Sequence, residues 1–96
     1  MAKLTCHDSV SQWEHEQISK YPEISFFIEK LKSNITKNPD RGRSTTISIS
    51  GKIVPCYTKS VNLNFFPREF VVGSNFITAS YVYNDNIIYL LQMIFT

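Results

Sequence analysis

Four side chains near the start of the chain have metal-binding chemistry: Cys6, His7, Asp8 and His15. His7 and His15 stand eight apart, whereas two ligands on one helical face are four apart. No second Cys/His pair follows at zinc spacing, which argues against a metal site. Cys6 and Cys56 lie in separate segments and are expected to be free thiols in a reducing compartment. The sequence contains no Ser-His-Asp order, no glycine-rich phosphate loop and no paired catalytic carboxylates. Phe65-Phe66-Pro67-Arg68 combines aromatic and basic side chains, as a base-stacking loop would, although such phenylalanines more often anchor a loop to the core. Charge is uneven. Residues 1–36 carry four lysines against five acids, and residues 37–96 carry six cations against three. The cationic part could face phosphates or an acidic protein, but three excess charges do not hold nucleic acid tightly by themselves.

These residues have to be held by elements that the hydrophobic pattern sets out. At 96 residues, 43% hydrophobic and 19% charged, the chain is one domain, 1–96, with a single core. No apolar run approaches the ~20 residues needed to cross a bilayer. The first residues lack an apolar signal core, so the expected location is the cytoplasm, with no membrane partner. Lys3 to Cys6 reads as a short strand. Ser9 and Gln12 fit a capping box, and Val10, Trp13, Gln17, Ile18 and Tyr21 form the stripe of a first helix ending near Lys20. Ile24, Phe27, Ile28, Leu31 and Ile35 make an unbroken stripe for a second helix. Asn38-Pro39 stops it, and Asp40-Arg41-Gly42 turns the chain.

Extended structure follows. Thr45, Ile47 and Ile49 alternate with Thr46, Ser48 and Ser50, the pattern of a half-buried strand. Gly51-Lys52 reads as a hairpin turn. Ile53 to Thr58 continues with Pro55, which confines it to an edge or a bulge. Phe76 to Tyr83 and Ile87 to Phe95 form a second hairpin around Asn84-Asp85-Asn86. The last strand is apolar on both faces, as a central strand would be. Between them a short strand is expected at Phe70 to Val72, after a loop around Pro67. The order gives an α+β fold: an N-terminal helical hairpin packed on one face of a mostly antiparallel sheet.

Three stretches carry a family resemblance: Ile35-Thr36-Lys37-Asn38-Pro39-Asp40-Arg41-Gly42, Phe76-Ile77-Thr78-Ala79-Ser80-Tyr81-Val82-Tyr83, and the closing strand from Asn84 to Phe95. Over about half the chain they resemble the RelE/ParE superfamily of bacterial toxins. The resemblance implies the toxin of a type II toxin–antitoxin pair, with a cognate antitoxin as partner. Its first implied activity is ribosome-dependent cleavage of messenger RNA, which needs no metal or cofactor. The alternatives are a ParE-like toxin that binds DNA gyrase without catalysis, and a non-toxic interaction domain of the same fold. Cleaving members commonly carry an arginine three residues before the strand tyrosine. Aligned on Tyr81, that position is Thr78, so whether the chain is an enzyme stays open.

RNA cleavage of this kind needs a cation for the developing phosphate charge and an acid for the leaving oxygen. Lys52, Lys59 and Arg68 are the candidate cations and Tyr81 the candidate acid, expected together on one sheet face. Arg41, Arg43 and Tyr83 are the candidate RNA contacts. Each also has a plainer role: Lys52 at a hairpin turn, Lys59 in solvent at an edge, Arg68 paired with Glu69 or Asp85.

Overall fold

The computed structural model describes residues 2–63 and 75–96. Strand β1 (Lys3–Cys6) leads into helices α1 (Asp8–Lys20) and α2 (Ile24–Lys37). A 3-10 turn, Pro39–Arg41, then opens a run of strands: β2 (Arg43–Ile49), β3 (Lys52–Asn62), β4 (Phe76–Asn84) and β5 (Ile87–Phe95). The sheet order is β1-β5-β4-β3-β2. β1 runs parallel to β5, and every other neighbour is antiparallel. Both helices cover one face of this sheet, so the α+β layout expected from the pattern is the one observed. No helix is long and apolar enough to cross a membrane among the described residues.

The core lies between the helices and that face. From α2 it takes Ile24, Phe27, Ile28, Leu31 and Ile35, the stripe read from the sequence, and all five are buried. From the sheet it takes Val61, Ile77, Ala79, Tyr81, Ile88, Leu90 and Met93. α1 contributes Val10, with Trp13, Ile18 and Tyr21 at the margin, and the Trp13 ring sits 5.1 Å from that of Phe95. A 2.7 Å ion pair between Glu14 and Lys32 ties the two helices together.

Two local expectations change. The cap of α1 is His7, whose Nδ1 accepts from the Ser9 backbone N–H; Gln12 reaches instead to Glu16, one turn ahead. An imidazole nitrogen at this position is an acceptor like a serine oxygen, and it sits where the chain leaves β1. The first hairpin turns at Ser50-Gly51, both at positive φ, and Lys52 is already strand. β5 is central, between β1 and β4, as its composition predicts: Ile88, Leu90 and Met93 are buried, while Ile87, Tyr89 and Ile94 are exposed on the helix-free face. The hairpin β4–β5 turns on Asp85-Asn86, with φ of 50° and 64°, the two left-handed residues of a type I′ turn. The short strand expected at Phe70 to Val72 and the loop around Pro67 lie outside the described residues.

Candidate functional site

The 3-10 turn after α2 is where the candidate residues come closest to forming a group. Proline cannot continue α2, and the turn brings Asp40 and Arg41 out to solvent while Pro39 stays buried. Its position is fixed from below. Tyr81, with no exposed surface, donates its hydroxyl to the Pro39 carbonyl oxygen at 2.6 Å, and the Gly42 N–H bonds back to the same hydroxyl. Tyr81 faces the core by the plain alternation of β4, with Ile77 and Ala79; the register shift between Ser80 and Tyr81 is taken up by one extra residue in β5, Leu91. Gly42 is required for closeness: a Cβ there would lie 2.5 Å from the Tyr81 hydroxyl and 2.8 Å from Tyr57 Cβ. The Tyr57 and Tyr81 rings lie 5.8 Å apart and complete the clamp.

Lys59 joins this corner from β3. Its Nζ donates to the Asn34 carbonyl oxygen in the last turn of α2 at 3.1 Å, where the carbonyl end of a helix attracts a cation. Partial burial lowers its pKa, the Asp40 carboxylate opposes that shift, and the Arg41 guanidinium adds to it. Arg41 and Lys59 are therefore close enough to feel one another. This is a cationic corner with Asp40 as its internal counter-charge.

The other candidates lie elsewhere. Lys52 is exposed at the tip of the first hairpin, opposite Ile49. It stands seven positions before Lys59 on the same strand, roughly 23 Å along it and on the opposite face by alternation. Arg43 pairs with Thr58, and that register puts it on the helix-free face, away from Lys59. Tyr83 lines a gap of about 280 Å³ with Ser44, Pro55, Cys56, Tyr57 and Val82. The gap lies where the β3–β4 ladder ends, at Tyr57–Tyr81, two residues from Pro55. Arg68 lies outside the described residues. Tyr81 is sealed in the core, and burial, with Tyr57 and Asp40 adding to it, pushes its pKa up to about 12. That hydroxyl holds a turn in place; it has no path to a proton acceptor in solvent.

On the helix-free face Thr78 is the middle of a row of hydroxyls. Its Oγ1 is 2.7 Å from Ser60 Oγ and 2.8 Å from Thr96 Oγ1. Sequence reading did not single out this row, nor Pro39 and Gly42 as the clamp on the turn. The row arises from strand register, which a linear pattern does not display. The clamp has a trace in sequence, a Pro-Asp-Arg-Gly turn, but its tyrosine comes from 42 residues away. Both cysteines are free: Cys56 is buried and Cys6 half-buried, and burial pushes both thiol pKa values up. No group of three His, Cys, Asp or Glu side chains suited to a metal occurs among the described residues. Compared with family models, curated proteins and solved structures, the chain matches none.

Proposed function

We propose that the protein is a RelE/ParE-like toxin that acts by holding a macromolecular target and does not cut RNA. In this reading it works in the cytoplasm, a cognate antitoxin neutralises it, and a gyrase-type target is the leading choice. One observation carries the choice of binding over cleavage: the described candidates for phosphate chemistry do not converge. Lys52 and Lys59 are separated by about 23 Å of strand, Tyr81 is fully buried beneath a turn, and the position aligned with the cleaving arginine is a threonine hydrogen-bonded to two neighbouring hydroxyls. A cleavage site needs its cation and its acid within hydrogen-bond reach of the same phosphate. A binding surface has no such requirement, and its charges can be spread.

Induced expression in a bacterial host, without any antitoxin, tests this. The expected result is growth arrest with translated messages intact and a DNA-damage response. New message ends inside coding regions would overturn it in favour of the endonuclease. Unimpeded growth would leave the non-toxic interaction domain.

A further inference from the structure

β2 is the last strand of the sheet on its side. Its seven residues, Arg43–Ile49, pair with β3 in an unbroken register. Among the described residues no strand lies on its outer side. In an antiparallel ladder alternate residues turn their N–H and C=O away from the partner, so this edge presents a row of backbone donors and acceptors. Edge strands are ordinarily blunted by a charge at mid-strand, a proline or a bulge. β2 has none of these: Thr45-Thr46-Ile47-Ser48-Ile49 is uncharged and rich in β-branched residues, and its one charge stands at the first position. Pro55, which would block pairing, belongs to β3, opposite Thr46, and so is not part of this edge.

Charge decides what fits. The hairpin β2–β3 holds Arg43, Lys52 and Lys59 and no acid. Arg43 opens β2, and Lys52 lies directly across from Ile49 at its far end. By strand alternation Arg43, Ile47 and Ile49 share one face, and register puts Lys52 on that face too. The edge is therefore a neutral, β-prone stretch of roughly 20 Å with a cation at each end on the same side. A second copy fits poorly. Antiparallel self-pairing would set the partner's first cation beside Ile49, one strand from Lys52, and so bring like charges to roughly 10 Å at both ends.

We propose that the outer edge of β2 takes up an extended segment of a partner protein as a sixth strand. That segment has an uncharged, β-branched middle between two acidic residues six positions apart. Main-chain hydrogen bonds supply the affinity and the two end charges set the choice of partner. The inference rests on the binding reading above for its biological purpose. Its test uses purified protein and requires no growth arrest, so either can fail alone.

The probe is the end-blocked peptide Asp-Thr-Val-Thr-Val-Thr-Glu, titrated into the isotopically labelled full chain at low salt. Its counterpart has lysine at both ends. The expected result is at least tenfold tighter binding of the acidic peptide, with shifted and exchange-protected amides at Arg43–Ile49, and a preference that narrows as salt rises. Arg43→Glu with Lys52→Glu should reverse the preference. Should that variant fold poorly, methylating alternate backbone nitrogens of the peptide gives the same decision on the unaltered protein, since binding should be lost. Equal affinity for the two peptides, no binding, or amide shifts confined to other strands would overturn the proposal. So would concentration-dependent protection of β2 without peptide, which would assign the edge to a second copy.

Discussion

The hydroxyl of Tyr81 reaches the carbonyl oxygen of Pro39 at 2.6 Å, forming a buried hydrogen bond between the middle of β4 and the turn that ends the helical layer. The buried Pro39 carbonyl needs a donor, because water cannot reach a buried turn. The phenol is long enough to cross the core and supply it. The same bond decides where Asp40 and Arg41 emerge, so a core residue sets the geometry of the cationic corner.

Removing that hydroxyl takes the donor from the buried Pro39 carbonyl and a partner from the half-buried Gly42. Tyr81→Phe should therefore cost about 1–3 kcal/mol, seen as a lower urea midpoint with an unchanged slope. A variant as stable as the wild type would mean that the bond is not formed in solution.

Tyr81 also predicts an alkaline limit. Its folded-state pKa is pushed up to about 12, above the ~10 of an unfolded tyrosine. The stability linked to this group is complete below pH ~10 and falls as pH rises toward the folded value, because the unfolded chain loses the proton first. Stability followed by denaturant titration from pH 9 to 12 should decline more steeply in the wild type than in Tyr81→Phe. Parallel curves would remove Tyr81 as the cause.

Gly42→Ala tests the close approach. The added methyl meets the Tyr81 hydroxyl and the rigid Tyr57 Cβ, and overpacking of this sort costs about 1–3 kcal/mol. The φ of Gly42 is −71°, open to alanine, so any loss comes from contact and not from backbone strain. In the Tyr81→Phe background the methyl has more room, and the double variant should be less destabilised than the sum of the two singles.

Phe27 anchors α2 to the sheet at 9% exposure. Phe27→Ala should cost about 3–5 kcal/mol through lost burial and the cavity left behind, measured by thermal or urea unfolding. A wild-type melting curve would contradict the packing of the helical layer.

The separation of the cations has its own consequence. If the protein binds without cleaving, Lys52→Ala and Lys59→Ala should each weaken growth inhibition by less than about tenfold, as losing one of several spread charges does. Loss of a transition-state stabiliser would instead cost on the order of 10²–10³. A dose series of induced expression separates the two outcomes.

Residue order alone determined the elements that depend on local periodicity. The α2 stripe from Ile24 to Ile35 and its stop at Asn38-Pro39 follow from helical spacing and proline sterics, and so does the α+β order of the whole chain. The extended runs of β2 to β5 follow from alternation and β-branching, and the turn at Asp85-Asn86 from residues that tolerate positive φ. Only the tertiary structure decided which side chains meet. Lys52 and Lys59 are expected on one sheet face, yet both belong to β3 and a seven-residue offset turns them to opposite faces. Tyr81 looks like an available acid, yet its ring lies in the core under the Pro39 turn. Thr78 becomes one of a row of hydroxyls only when three strand segments are laid side by side. Periodicity is written within a few residues of chain, whereas register and layer order come from pairings between residues tens of positions apart, and no local pattern encodes them.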